Sequence, residues 1–301
     1  MKWLILTTAL ALSACLGLAR ASNPGSSFRD CTDCPEMVVV DSGAFAMGSP
    51  ASEQGRFDDE GPQHTVTIAH RFAISRTPIT RAQYETFAQQ THHASTGGCA
   101  SMNNDGDWVV VPSLSWRAPG FEQNDEHPVI CVSWDDATAY AAWLSVKTGA
   151  RYRLLTEAEF EYAVRAGATT AYPWGDAAGD VCAHANGFDL AAKRNHTDWP
   201  SLACDDGAAY TAAVNAYHAN AFNLSGMTGN VFQWTEDCFV EGGYAGAPAD
   251  GSARQHEGCV TRVIRGGSWL NGARGLRAAM RDRDRQQDRY TNIGIRVARE
   301  L

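Results

Sequence analysis

Apolar and polar positions alternate along residues 37–48 after a run of three valines, which predicts one or two strands with a turn at Ser42-Gly43. Residues 49–64 are acidic and broken by Pro50, Gly55, Gly61 and Pro62, the composition of a loop. Residues 65–74 alternate again, with Val66, Ile68 and Phe72 on one face, and predict a strand. Helical signals follow at three places. Thr80 and Gln83 have the spacing of a capping box, and Tyr84 and Phe87 then share an inner face. Ala137, Tyr140, Ala141 and Leu144 fall at i, i+3, i+4 and i+7, behind Ser133 or Asp135 as cap and ahead of Gly149 as stop. Thr156 and Glu159 form another capping box, with Phe160, Ala163 and Val164 inward until Gly167. Between the first two helices, residues 92–124 make a glycine-rich excursion carrying Trp108, Trp116 and Phe121. Loops this long inside a compact domain are functional or cross-linked. After Gly167 regular structure returns only around Phe232-Gln233-Trp234 and Arg262–Arg265. No internal repeat, low-complexity tract or domain linker is visible. The pattern is that of a mixed, loop-heavy chain with about three helices.

Composition agrees. The 301 residues are 44% apolar, enough for a substantial core in one large domain or two small ones. The 28 glycines and 9 tryptophans suit a loop-rich fold pinned by aromatic residues rather than a helical bundle. A net charge of -9 argues against general nucleic-acid binding. Residues 1–21 read as a secretory signal, with Lys2, a short apolar run and a small-x-small site at Ala19-Arg20-Ala21. Leu12-Ser13-Ala14-Cys15 also resembles a lipobox, which would place a lipid anchor on Cys15. The expected product is therefore exported, periplasmic or secreted, or held at the membrane as a lipoprotein. No stretch is long and apolar enough to span a bilayer.

Removal or lipidation of Cys15 leaves Cys31, Cys34, Cys99, Cys131, Cys182, Cys204, Cys238 and Cys259. An even number in an exported chain favours disulfides, whose connectivity sequence alone leaves open. Pairing of neighbours would join 31 to 34, 99 to 131, 182 to 204 and 238 to 259. Each of the last three would close a loop worth about 3 kcal/mol in the chain-entropy picture. Read as a redox pair, Cys31-Thr-Asp-Cys34 lacks the strand-turn-helix setting such motifs use.

Residues 265–296 hold the densest chemistry. The segment opens with Arg-Gly-Gly-Ser-Trp and closes with Asn292-Ile293-Gly294-Ile295-Arg296. Between them Arg274, Arg277, Arg281, Arg283, Arg285 and Arg289 mix with Asp282, Asp284 and Asp288. Such a run alone is a solvated, self-neutralising surface. Trp269 and the alternation of Ile293 and Ile295 instead signal burial, and the paired glycines suit a tight bend.

This segment resembles the C-terminal signature of the sulfatase-modifying-factor family, whose founding member is the formylglycine-generating enzyme. Met37-Val38-Val39-Val40 with Phe45-Ala46-Met47-Gly48 resembles its opening strands, and Arg153-Leu-Leu-Thr-Glu-Ala-Glu-Phe-Glu-Tyr-Ala163 its central helix motif. Tyr172-Pro173-Trp174-Gly175-Asp176 and Gly229-Asn230-Val231-Phe232-Gln233-Trp234 follow in order. The resemblance implies an α+β, C-type-lectin-like fold of twisted antiparallel sheets wrapped by long loops. It would occupy residues 34–301, after the signal and a polar leader at 22–33.

The resemblance also implies sites. Asn186 and Asp206, with the carbonyls of Gly187 and Ala208, match a family calcium site, and calcium accepts such a mixture of hard oxygens. The same side chains could instead be turn residues bonding their own backbone. A second site maps onto Gly226, Gly229, Val231 and Gln233, where the family expects an oxygen-bearing side chain at 226 and a Glu at 233. That site is expected to be degraded. Family enzymes oxidise a substrate cysteine to formylglycine with copper held by two cysteines, a soft pair suited to Cu(I). Those positions fall on Ala273 and Ala278, and no cysteine follows Cys259. Copper and standard formylglycine formation are not expected. The family also includes iron-dependent sulfoxide synthases, which carry an extra helical domain, and a pyoverdine-maturation branch without the copper chemistry. His64, His70, His92, His93 and His127 could donate to another metal, but their scatter forms no ligand motif. No catalytic residue is assigned.

Two readings follow. One is an exported accessory or maturation factor, or a non-copper oxidase, acting on a periplasmic peptide or metabolite. The other is a non-catalytic binding module, because residues 265–296 also resemble the variable segment of retroelement-diversified proteins built on this fold. Leu270, Asn271, Ala273, Arg274, Asp282, Asp284, Gln286, Gln287 and Tyr290 would then face a ligand. The candidate binding set is Trp269, Asn271, Arg274, Arg277, Arg281 and Tyr290, since interfaces favour aromatic and arginine side chains.

Overall fold

The valine run and the C-terminal arginine segment each build a sheet. The computed structural model describes residues 25–195 and 199–301. The signal, the lipobox and the cleavage site lie outside them. In chain order the strands are β1 (Ser27–Phe28), β2 (Met37–Val40), β3 (Gly43–Met47), β4 (His64–Ile68), β5 (Phe72–Ser75), β6 (Cys99–Met102), β7 (Trp108–Val111), β8 (Tyr152–Leu154), β9 (Phe232–Cys238), β10 (Thr261–Arg265), β11 (Arg281–Arg285), β12 (Ile293–Gly294) and β13 (Val297–Glu300). The helices are α1 (Arg81–Thr91), α2 (Trp134–Thr148), α3 (Glu157–Arg165) and two single turns, α4 (Val181–His184) and α5 (Leu190–Lys193). One sheet runs β1-β2-β5-β13-β8, antiparallel throughout. The other runs β11-β10-β9-β12, with only β12 parallel to its neighbour. Two hairpins, β3-β4 and β6-β7, complete the α+β architecture.

The three longer helices begin where the sequence places their caps. Thr80 and Gln83, Ser133 and Asp136, and Thr156 and Glu159 each exchange side-chain and backbone hydrogen bonds. Each such cap stabilises its helix start by about 1 kcal/mol. Gly149 closes α2 in the left-handed conformation, at φ 72°. Tyr84, Phe87, Tyr140 and Trp116 then meet in one aromatic cluster between α1, α2 and the long excursion. The excursion is cross-linked: it contains the β6-β7 hairpin, tied down by Cys99–Cys131. All four disulfides join sequence neighbours, as Cys31–Cys34, Cys99–Cys131, Cys182–Cys204 and Cys238–Cys259.

Two readings of the pattern change. The strand predicted over 65–74 is two strands in two sheets, because the chain bends through Ala69 and His70, which are exposed. Alternation cannot register such a bend when apolar residues continue on both sides. The polar leader also joins the fold: Ser27 and Phe28 pair with Val38 and Met37 at the sheet edge.

Beneath both sheets lies a buried charge network. Arg265 is fully buried and reaches Glu157 at 3.0 Å and Glu161 at 2.7 Å. Arg281 grips Glu157 through two bonds of 2.7 and 2.8 Å, and Tyr244 donates to the same carboxylate. Glu161 also accepts from Arg165 and from the backbone N–H of Gly48. Nearby, Arg277 bridges Glu60 and Glu53. Burial alone would raise the Glu157 carboxyl, but Arg281 and Arg265 hold it below its ordinary 4.5. Glu60 is likewise held low, by Arg277 against burial.

Removing one partner from such a network leaves buried charge uncompensated, which costs about 3–5 kcal/mol. Arg265→Met should therefore lower the denaturant midpoint by that equivalent, or prevent folding. Because Glu157 and Glu60 titrate lower when folded than unfolded, their stabilisation is present above pH 4.5 and lost as pH falls through their folded values. Acid unfolding followed by circular dichroism should show that loss, and Glu60→Gln should blunt it.

Candidate functional site

The segment after α3 has little regular structure and needs local pins. Cys182–Cys204 closes it, and Asp189 caps α5 by accepting from the N–H groups of Ala191 and Ala192. Here the two halves of the expected calcium set come together. The Asp206 carboxylate accepts from the N–H of Ala208 at 2.8 Å and also draws on that of Gly187. Asn186 is fully buried and donates to the carbonyl of Tyr210 at 2.7 Å. Its Oδ1 and the Oδ2 of Asp206 are buried with no hydrogen-bond partner. Two such acceptor oxygens suit a hard cation, while the groups of Gly187 and Ala208 that face Asp206 are N–H donors and the Tyr217 hydroxyl also reaches that carboxylate. Burial, with the charge of Asp189 adding to it, pushes the Asp206 carboxyl up to about 6.

The second expected site is filled by the protein itself. Gln233 points its amide nitrogen at the carbonyls of Gly226, at 2.9 Å, and Val231, at 3.3 Å. Its Oε1 accepts from Arg296 at 2.6 Å. The Arg296 guanidinium is fully buried, faces no carboxylate, and donates to the carbonyls of Ser75, Ser225 and Gly226. Those oxygens already surround a cation. Gly229 admits the close backbone crossing, since a Cβ there would meet the Asn186 carbonyl at 2.3 Å. These residues do not fit a metal ion.

Ala273 and Ala278 fall in two different apolar clusters. Tyr172 donates to the carbonyl of Ala273, which packs on the Tyr172–Trp174 cluster. Ala278 is buried in the apolar cluster that also contains Leu155, Phe160, Leu224 and Met227. A cleft of about 240 Å³ is lined by Trp174, His184, His218, Leu224, Met227 and Thr228. Tyr172, Trp174 and His184 stack in a column at 5.0 and 4.9 Å, and His218 lies 6.2 Å from His184. The chain positions 174, 184 and 218 are too far apart for a spacing motif, so the sequence pattern does not single them out. The five histidines considered from sequence stay dispersed. His93 binds Asp136, His127 binds Thr211 and His64 packs on Tyr244, while His70 and His92 are exposed. Among the described residues the one metal-like cluster is Cys238, His256 and Cys259, whose two sulfurs are joined to each other.

The six residues of the candidate binding set make contacts within the protein. Trp269 is buried between Phe121 and Tyr210 and donates to the carbonyl of Thr291. Asn271 accepts from Ser268. Arg274 lies over Phe57 and donates to the carbonyls of Gly55 and Arg56. Arg277 and Arg281 are the buried partners of Glu60 and Glu157, and Tyr290 packs edge-on to Trp108. Irregular arginine spacing here reflects inward pairing, which helical or strand periodicity cannot reveal.

The model of the sulfatase-modifying factor enzyme 1-like domain matches residues 24–301. The chain belongs to that family. It is 32% identical to the formylglycine-generating enzyme of Streptomyces coelicolor, covering 94% of each chain. It is 30% identical to an inactive C-alpha-formylglycine-generating enzyme 2 of Mus musculus, covering 88% of this chain and 85% of that one. Among solved structures, PvdO from Pseudomonas aeruginosa matches with a TM-score of 0.81 and 38% identity, over 93% of this chain and 100% of that one. The C-type-lectin-like reading of the fold is thereby supported over nearly the whole length.

The Arg296 cage predicts a gain of function. Gln233→Glu with Arg296→Met should create a cation site absent from the parent, raising bound calcium by one ion per chain in equilibrium dialysis.

Proposed function

We propose that this chain is an exported accessory or maturation factor of the family, oxidising a periplasmic peptide or metabolite without copper. The observation that carries the proposal is the cleft lined by Trp174, His184, His218, Leu224 and Met227, which holds an aromatic column and two imidazoles, with Ala273 packed on the same Tyr172–Trp174 cluster. Trp174 is stacked between Tyr172 and His184, so the outer face of the His184 ring is the surface left for an unsaturated or aromatic group. Leu224 and Met227 keep water from one wall. The ring nitrogens of His184 and His218 hold no side-chain or backbone hydrogen bond among the described residues, so each is available as a general base. Loss of two hydrogens from the substrate requires one such base. Dioxygen is the electron acceptor and leaves as hydrogen peroxide, so the balance closes without a protein-bound thiol.

The cation-compatible oxygens support a further part of the same reading: Asn186 and Asp206, with the carbonyls of Gly187 and Ala208, hold a structural calcium. The ion would fix the irregular segment that carries His184 and, through Tyr210, the aromatic packing on Trp269.

Deletion of the gene in its host should leave an exported peptide or metabolite heavier by two hydrogens, detected by mass spectrometry of the periplasm and medium. Complementation with His184→Ala/His218→Ala should lower conversion on the order of a hundredfold. Identical metabolite profiles with and without the gene would defeat the proposal.

Calcium should raise the melting temperature of the purified chain. Because Asp206 titrates near 6 when buried without an ion, keeping it charged opposes folding above that pH and calcium relieves this. The calcium-induced shift should therefore be largest above pH 7, fade as pH falls below about 6, and disappear in Asp206→Ala.

A further inference from the structure

The four disulfides differ in what surrounds their sulfurs. Cys99 and Cys131 are both buried. Cys31 is half-buried, and the Oδ1 of Asp33 lies 3.3 Å from its sulfur. Cys182 is half-buried, and the Oδ2 of Asp189 lies 3.7 Å from its sulfur. A carboxylate beside a sulfur opposes the thiolate that opening of the bond must release. Cys238–Cys259 has the opposite setting. Arg262 stands across from Cys238 in the β9-β10 pair, and its Nη1 donates to the buried Cys238 sulfur at 3.4 Å. Cys259 is half-buried, and a ring nitrogen of the exposed His256 lies within 4.8 Å of both sulfurs.

Arg262 has no carboxylate at ion-pair distance among the described residues. It lies over the Trp134 ring at 3.9 Å and donates to the carbonyl of Glu236 at 3.0 Å. It also donates to the side-chain oxygens of Gln255 and Gln286, at 3.1 and 3.4 Å. All of these partners are neutral, so nothing in contact with the guanidinium cancels its charge. The Gln255 Oε1, 3.2 Å from the Cys238 sulfur, is neutral as well. A cation beside a sulfur lowers the pKa of its thiol, and a thiol of lower pKa leaves a disulfide faster. Cys238 is therefore the better leaving group of the pair. Because Cys238 is buried, Cys259 is the sulfur that an incoming thiolate can reach.

We infer that Cys238–Cys259 undergoes thiol–disulfide exchange with an external dithiol, which attacks Cys259 and releases Cys238 as a thiolate held by Arg262. The first donor thiol gives its proton to His256, and its sulfur bonds to Cys259. The Cys238–Cys259 bond breaks, and its electron pair leaves on Cys238. The second donor sulfur then attacks the first in the mixed disulfide, and Cys259 departs with the second proton. Two electrons pass to the protein, and the donor leaves as a disulfide. No residue of the Trp174 cleft takes part, so the inference goes beyond the reading of that cleft and does not depend on it.

The test is timed reduction of the full, oxidised chain by dithiothreitol, quenched by alkylation and mapped by peptide mass spectrometry. Cys238–Cys259 should open about tenfold faster than each of the other three pairs. With glutathione, a monothiol, the trapped adduct should map to Cys259. Arg262→Gln should slow opening of this pair about tenfold, and Arg262→Lys should restore most of the rate, because the step needs the charge. An arginine that served structure alone would give the reverse, since loosening the β9-β10 pair exposes the bond and speeds its opening. Opening no faster than Cys31–Cys34 or Cys182–Cys204, an adduct on Cys238, or faster opening in Arg262→Gln would each overturn the inference. If Arg262→Gln does not fold, the ranking of the four pairs and the position of the adduct in the parent chain decide the matter.

Discussion

Two glutamates one turn apart on α3 determine how the halves of this chain meet. Glu157 and Glu161 are buried, and their partners Arg265 and Arg281 come from the opposite end of the sequence. An ion taken out of water without a partner costs several kcal/mol, so these four groups must arrive together. A slip of β10 by one residue would turn Arg265 to the other face of its sheet and orphan both carboxylates. The network thus fixes register as well as position. The bend at Gly266 and Gly267 belongs to the same constraint, because a Cβ at Gly267 would meet the Gly275 carbonyl at 2.4 Å. Through that bend the segment from 273 to 278 is brought against the Tyr172 cluster and the α3 core.

Much of this fold is legible in sequence because its local rules are kept. The caps at Thr80, Ser133 and Thr156 are chemical signals within four residues, and each starts a helix. The disulfides close short loops, so neighbour pairing needs no knowledge of the fold. The charge network is invisible to the same reasoning. Periodicity sorts apolar from polar, and it assigns glutamates and arginines to solvent. On α3 the rule fails at Glu157 and Glu161, whose partners Arg265 and Arg281 lie more than a hundred residues away. The cleft is hidden for a related reason: Trp174, His184 and His218 converge only because a disulfide-pinned irregular segment folds back on itself. Family motifs locate positions 273 and 278, but the wall opposite them comes from chain without regular pattern.

The two expected cation sites show how small changes decide between a metal and a side chain. At Asn186 and Asp206, acceptor oxygens outnumber donors, and the surplus is buried. Around Gly226 the surplus is met from within, by a guanidinium and an amide. A carboxylate at position 233 would compete with neither carbonyl and would add charge. An amide supplies two N–H groups to those same carbonyls, so one exchanged atom changes the site from acceptor to donor. Arg296 completes it: desolvation lowers its pKa to about 9, and the ring of carbonyl dipoles keeps its charge tolerable.

The same reasoning bears on the loss of the copper thiols. A cysteine and an alanine occupy similar positions in a packed wall, and free cysteine behaves as a small apolar side chain. Alanine at 273 and 278 therefore removes reactivity with little disturbance of shape. The surrounding groups hold one another in place. Tyr172 remains bonded to the carbonyl of Ala273, the Tyr172–Trp174–His184 column remains stacked, and the cleft remains open to solvent at His218. Chemistry that uses proton transfer and stacking, rather than a metal thiolate, requires those groups and no cysteine.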